Sequence, residues 1–363
     1  MKAHDVLLPL GPFDTCLRQP LLFQFALEGP RVSGASSDFV TGGRNIQLGF
    51  DDLDLADGLK LAGMICARSS IAHSLAYCQA LEEAVAVERV DDSALAFRAI
   101  VAEYERIASH LGVLSDIARS ISDDVVYKGP RRHAERIRDA FTKVSGNPFG
   151  RGLIVPGGVS IPGDGKALEE LREVLKPLER DCGFWTKKLS MSRARLRGSR
   201  LEADRFDYDA PCAPALRASG LARDTRSGES AYGYYAASHY RPCVREGGTA
   251  YDRALLLLDE VRASAGLVGR AVAAEGVSPG VPMEFELCAG KGVGVCESPE
   301  GAIEHVVFLG EGKLIRNRVS SAVPFVAGLM PGALEGSLYE DVAPALISMY
   351  PCAPCLDLRN PTA

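Results

Sequence analysis

Several features are scarce or missing in this chain, and each absence narrows what it can be. No apolar run approaches the roughly 18 residues of a membrane span, so no transmembrane segment is expected. The opening "MKAHDVLLPLGPF" has too short an apolar stretch for a secretory signal, and no small-residue cleavage site follows. Both point to a cytosolic protein. Lysines and arginines form no basic face and the net charge is −6, which argues against a nucleic-acid partner. There is no Gly-Lys-Ser/Thr phosphate loop, no strand–GxGxxG–helix unit, no Ser nucleophile elbow and no His-Glu-x-x-His. The glycines of "GKGVG" (290–294) read instead as a tight turn. A second C-x-x-C is missing too, although ten cysteines are present.

What remains is an ordinary globular composition, 47% hydrophobic and 24% charged over 363 residues, enough for a large core. In a reducing compartment the cysteines are free thiols or metal ligands. Cys78, within the apolar helical run "SLAYCQALEEAVAV", reads as a small hydrophobe, and so do Cys16, Cys182, Cys212, Cys243, Cys288 and Cys296. Residues 1–52 read as strand and turn: "FQFALEG" alternates with period two. Residues 53–275 read as a helical bundle, with apolar residues three and four apart in "SSIAHSLAYCQALEEAVAVERV" and an Asp or Ser cap opening the long "DDSALAFRAIVAEYERIASHLGVLSDIARSI". "AERIRDAFTKVSG" ends on a glycine cap, Pro177 kinks the helix that follows, and "YDRALLLLDEVRASAGLVGRAVAAEG" is another long helix. Within the bundle, 205–250 form a polar, irregular insert. Residues 276–363 read as a hairpin ("EHVVFLGEGKLIRNRVSS"), a helix and the tail "MYPCAPCLDLRN". The fold class is α+β, a long-helix bundle with small β-sheets from the N- and C-terminal parts, in one folding unit over 1–363.

Cys352 and Cys355 sit two residues apart, so both thiolates can grip one soft ion or form a redox pair. A soft metal site needs more ligands, and Cys66 in "MICARSSIAHSLAYCQALE" is the best placed donor. His73 and His110 lie on helical faces, where a lone histidine is more often a satisfied core residue than a ligand.

The segment around Cys66 resembles the "RICGICSFAHSLAYCQAVE" type of motif in the large subunits of energy-converting, membrane-bound nickel–iron hydrogenases, homologues of the quinone-site large subunit of respiratory complex I. "LPLGPFDTCLRQP", "AEYERIASHLGVLSDIA", "VSGNPFGRGLIVPGGVS", "PALRASGLARDTR" and "MYPCAPC" resemble further motifs of that family, in the same order along nearly the whole chain. The resemblance implies that an N-terminal and a C-terminal cysteine motif meet around nickel and iron. By motif position this chain keeps Cys66, Cys352 and Cys355 as catalytic and metal-binding residues and has Ser69 at the fourth ligand position. A serine hydroxyl is a hard donor that stays protonated near neutral pH and replaces a thiolate badly.

Other departures fall around the same centre. The family's relay glutamate is Gln47, and an amide releases no proton. The family's overhanging arginine is Glu300, which turns a cation into an anion. Met64 replaces the arginine before the first cysteine and Tyr350 the aspartate before the last pair. The complex I quinone-site histidine aligns with Arg18, and its tyrosine near Ala67.

The expectation is therefore the large subunit of a membrane-associated, multi-subunit oxidoreductase coupling electron transfer to ion translocation, peripheral on the cytoplasmic side. Ordinary hydrogen chemistry is expected to be lost. His73, His110, Gln47 and Glu300 line or support the cavity, and an iron–sulfur small subunit delivers electrons. Accessory and membrane ion-pump subunits follow from the resemblance alone. Two alternatives are a nickel–iron hydrogenase with a Cys3Ser site and a structural subunit that kept the fold without the chemistry.

Overall fold

The computed structural model describes residues 6–11, 17, 20–38, 44–87, 89–160, 166–203, 206–207, 209–273, 289–310 and 313–358. Cys16, Arg18, Cys288 and the centre of the expected hairpin turn lie outside them.

The chain opens with an antiparallel sheet of β1 (Val6–Leu10), β2 (Leu22–Glu28) and β3 (Arg31–Asp38), paired in that order. The period-two pattern of "FQFALEG" has its expected effect: Phe23 and Phe25 are fully buried on one face. A single 3-10 turn (Ile46–Phe50) leads into α1 (Leu55–Ala62), α2 (Ser70–Ala84), α3 (Asp92–Ser120) and α4 (Asp124–Ser145).

Asp91 caps α3 by accepting the Ser93 backbone N–H at 2.8 Å. Buried residues lie on every side of α3, so it forms the axis of the bundle, packed by α4 and by later helices. α4 begins well upstream of "AERIRDAFTKVSG". Asp123 caps it through Val126 N–H at 3.1 Å, and Pro130 lies inside the helix. Gly129 just before that proline sits where a Cβ would lie 2.6 Å from the Trp185 ring nitrogen, so close packing explains the glycine.

A small hairpin of β4 (Ile154–Val155) and β5 (Gly158–Val159) follows. Pro177 does more than kink the next helix; it separates α5 (Lys166–Leu175) from α6 (Leu178–Met191). Among its described residues the polar insert holds two short α-helices, α7 (Pro214–Arg217) and α8 (Tyr234–Ser238), and a 3-10 turn (Gly228–Ser230), before α9 (Ala250–Ala273) runs along α3.

The C-terminal part contains the expected antiparallel hairpin and adds a third strand to it. It is a three-stranded antiparallel sheet of β6 (Gly290–Ser298), β7 (Gly301–Gly310) and β8 (Lys313–Ser321), followed by α10 (Val323–Leu334), α11 (Val342–Ser348) and α12 (Ala353–Leu356). "GKGVG" is thus a strand and no turn. Its glycines face α2 so closely that a Cβ on Gly290, Gly292 or Gly294 would lie 2.2, 2.0 or 1.9 Å from the carbonyl oxygens of Ala84, Ala80 and Ala76. Four residues of helix advance ~6 Å and two residues of strand ~6.8 Å. The alternate glycines therefore mesh with every fourth alanine, backbone on backbone. Three glycines in five residues suppress strand propensity, which hid this element from sequence reading.

Candidate thiol centre

α1 ends at Gly63, and the turn from there to Ser69 carries Cys66 into the core. Two bonds hold the turn: Ser70 Oγ donates to the Gly63 carbonyl at 2.6 Å, and Ser69 N–H to the Cys66 carbonyl at 3.3 Å. The N-terminus of α2 is not capped by its own side chain. Glu105 on α3 accepts the N–H groups of Ile71 and Ala72 at 2.7 and 3.0 Å.

The C-terminal thiols arrive from the opposite direction. Tyr350, just before Pro351, has a left-handed backbone (φ 65°). This conformation costs an aromatic residue about 1–2 kcal/mol and is held by its surroundings. The tail past Cys355 is pinned by the 44–47 segment: Arg44 N–H donates to Asp357 Oδ2 at 2.7 Å. Gln47 Nε2 donates to the carbonyls of Leu358 at 2.7 Å and Val319 at 3.0 Å. Gln47 therefore fastens the tail to β8, and its amide hydrogens are committed to backbone.

Cys66, Cys352 and Cys355 come together, fully buried, with their sulfurs within 4.8 Å of one another. Cys66 Sγ and Cys352 Sγ are 3.5 Å apart across 286 positions of sequence. Hydrogen bonds from Cys355 and Cys66 hold the Cys352 thiol well below its ordinary range against the effect of burial, with Arg68 assisting. Of the three thiols, Cys352 is the one whose thiolate form its surroundings favour. The same contacts with Cys352 push Cys66 and Cys355 up.

Ser69 is buried beside them, and its hydroxyl donates to Glu300 Oε2. Glu300 is pushed up to about 7, by burial first and then by the Cys352 charge, while Arg68 and Ser69 work downward. Arg68 was not singled out from the sequence, yet it faces Glu300 with Nε 3.5 Å from Oε1. It also donates to the Pro351 carbonyl at 2.7 Å and lies over the Tyr350 ring. The cation absent from position 300 is thus supplied from position 68, inside the Cys66–Ser69 motif. A charge-reversed position next to an arginine two residues past Cys66 was the available signal.

His73 is buried at the centre. Its Nδ1 lies 3.0 Å from His305 Nε2, and His305 Nδ1 lies 2.9 Å from the Asn317 amide. Burial pushes His73 down to about 4, with the Cys352 charge opposing, so the ring is neutral. Its Nε2 has no hydrogen-bond partner among the described residues. His110 does not touch the thiols. It reaches them through Tyr350, whose hydroxyl is 3.2 Å from His110 Nδ1 and two residues before Cys352. Glu105, also missed from the sequence, is pushed up to about 8 by burial. Of the remaining described cysteines, Cys78, Cys182, Cys212 and Cys296 are buried apart from this cluster and Cys243 is part-exposed.

Comparison with known proteins fits this geometry. Residues 127–279 match the family described as the 49 kDa subunit of respiratory-chain NADH dehydrogenase. The chain is 29% identical to the membrane-bound hydrogenase subunit alpha of Pyrococcus furiosus, over 97% of this chain and 87% of that one. It is 25% identical to the carbon monoxide-induced hydrogenase of Rhodospirillum rubrum, over 96% and 98%. It is also 25% identical to an NADH-quinone oxidoreductase subunit of Clostridium beijerinckii, over 78% of each. A chain in the structure of the membrane-bound sulfane sulfur reductase, an archaeal respiratory membrane complex, superposes with a TM-score of 0.89 at 20% identity, over 98% of this chain and 99% of that one.

Proposed function

We propose that this chain, which is similar to the large subunits of membrane-bound hydrogenases and to the 49 kDa-type subunit of respiratory NADH dehydrogenases, is the redox-centre subunit of a membrane-associated oxidoreductase that does not turn over hydrogen. The observation that carries this reading is the buried Cys66–Cys352–Cys355 cluster, whose fourth corner is closed by the Ser69–Glu300 hydrogen bond. A nickel–iron pair of the family's kind takes four thiolates. Here the fourth donor is a hydroxyl whose proton is committed to a carboxylate, so the donor set does not fit that pair. Three thiols suit one soft ion or dithiol chemistry.

Electrons reach the centre from an iron–sulfur small subunit. Support for such a partner comes from the apolar side chains left exposed near the site. Met64, two residues before Cys66, is 53% exposed, Leu48 on the 3-10 turn 63% and Ile315 on β8, which packs against that turn, 50%. Among the described residues no helix is long and apolar enough to cross a membrane. Attachment to ion-pumping membrane subunits, on the cytoplasmic side, therefore runs through partners.

A second reading is favoured by the 3.5 Å approach of Cys66 Sγ to Cys352 Sγ, and it takes up the substrate named for the structural neighbour. A thiolate attacks the outer sulfur of a persulfide-type sulfane, breaking its S–S bond, so that the enzyme holds the persulfide and the rest of the substrate leaves as a thiolate. The second thiol then attacks the inner persulfide sulfur, closing a disulfide and expelling hydrosulfide, and two electrons and a proton restore the thiol–thiolate pair.

Metal analysis and gas assays of the purified complex separate the possibilities. The expected result is no stoichiometric nickel with iron, and no hydrogen uptake or evolution above background even with nickel supplied during expression. A missing proton-transfer group alone costs typically 10²–10⁴-fold, so Ser69→Cys is not expected to restore activity while Gln47 and Glu300 remain. Robust hydrogen oxidation by the unaltered complex sinks the proposal in favour of a Cys3Ser hydrogenase. The partner surface is tested separately: the chain expressed alone should be poorly soluble and rescued by its small subunit, and a stable, monodisperse chain on its own counts against the complex.

A further inference from the structure

Behind Tyr350 lies a fully buried array of charges that the thiol centre does not use directly. Four carboxylates belong to it: Glu103 on α3, Asp224 in the loop after α7, Glu260 on α9 and Glu297 on β6. Three guanidiniums answer them, Arg106 on α3, Arg217 on α7 and Arg226 in the same loop as Asp224. Formally the array carries one negative charge more than positive.

Each carboxylate is surrounded by donors. Glu103 accepts from Arg226, Arg106, Tyr235 and Ser264. Asp224 accepts from Arg226, and Glu297 from Arg217 and Thr225. Placing a proton on any of them breaks a bond already made. An uncompensated charge in such a place is costly.

His110 is the one group that accepts a proton without that loss. Its Nε2 is 2.8 Å from Glu260 Oε2, whose other oxygen accepts from Arg217 Nε at 2.8 Å. Its Nδ1 faces the Tyr350 hydroxyl, and that hydroxyl lies 2.7 Å from Ser109 Oγ. With neutral His110, the Tyr350 hydrogen points to Nδ1. With His110 protonated at both nitrogens, Nδ1–H donates to the Tyr350 oxygen and the Tyr350 hydrogen turns to Ser109. Both arrangements keep His110, Glu260 and Tyr350 hydrogen-bonded.

We propose that His110 is the proton acceptor linked to the thiol centre: it takes up one proton at Nδ1 when the centre is reduced, and Tyr350 reports the change by reversing its hydroxyl. The proposal rests on the redox reading above. For the thiol couple the balance is a disulfide plus two electrons and two protons, giving one thiolate, one thiol and one imidazolium. The electrons come from a dithiol reagent in the test and from the iron–sulfur partner in the complex. The charged groups facing His110 from its packed elements are Arg106 on its own helix, Glu260 and Arg217. Burial pushes its pKa down, the Glu260 hydrogen bond and charge push it up, and the two arginines oppose them. At the far end of the array, Arg226, Tyr235 and Tyr240 line a cavity of about 320 Å³ beside His239.

The test is nitrogen NMR of the full chain labelled at its six histidines, as the complex with its small subunit, between pH 5.5 and 9. The protein is compared after oxidation with diamide and after reduction with dithiothreitol. The expected result is an imidazolium at His110 in the reduced protein, with a midpoint at least one unit above that in the oxidised protein. Glu260→Gln should lower the reduced midpoint by more than one unit. A His110 ring that is neutral throughout, or identical in the two redox states, overturns the proposal. Both readouts use the unaltered protein, so a variant that does not fold leaves them intact. Failure to find any electron acceptor for the complex sinks the functional reading and leaves the His110 titration standing.

Discussion

Arg217→Met should cost the protein about 3–5 kcal/mol, the penalty for breaking a buried ion pair by removing one partner. Arg217 is fully buried and bonds Glu260 at 2.8 Å and Glu297 at 2.7 Å, so the variant strands two carboxylates in the core. Set against a typical total of about 5–15 kcal/mol, this loss is a large fraction of the stability. The comparison is Arg245→Met, whose pair with Asp259 is about a third exposed and whose loss should cost under ~1 kcal/mol. Denaturant midpoints of the two variants decide the matter. Equal shifts mean that the buried array contributes no more than a surface pair.

Gly294→Ala is the second large effect. The added methyl would lie 1.9 Å from the Ala76 carbonyl oxygen, and the obstacle is helix backbone, which cannot rotate away. β6 must separate from α2, at a cost of at least about 1–3 kcal/mol for overpacking. α2 follows directly on the turn that carries Cys66 and Ser69, so the buried thiols should also react faster with an alkylating reagent. Gly269→Ala is the control. That glycine is exposed on α9, with nothing within 4 Å of the added carbon, and the change should stabilise by about 0.5–1 kcal/mol. A Gly294→Ala protein as stable as wild type, with thiols as slow, would show that the strand–helix contact is looser than its geometry implies.

The helices were legible because their apolar residues recur with helical spacing and their caps are acidic or hydroxylated, as at Asp91. β6 was illegible because its glycines carry a packing message that contradicts strand propensity. At the site, Cys66, Cys352 and Cys355 were legible from motif order, and the structure brings their sulfurs together. Ser69 and Glu300 were visible as departures, but their hydrogen bond was not, since it joins residues 231 positions apart. Arg68 was overlooked for the same reason: its meaning depends on which residue stands opposite. Gln47 was expected near the cavity as a failed relay, whereas its amide fastens the C-terminal tail, a task set by the backbone carbonyls of Val319 and Leu358.

The pairing of Arg68 with Glu300 also bears on how this protein can change over generations. Arg68 is the cation that faces the buried Glu300 carboxyl, so losing the arginine leaves that group without its counter-charge. A lineage that holds both and loses the arginine first passes through a less stable intermediate. Ser69, whose hydroxyl is bonded to the same glutamate, is caught in the same bind. The three positions are expected to change together.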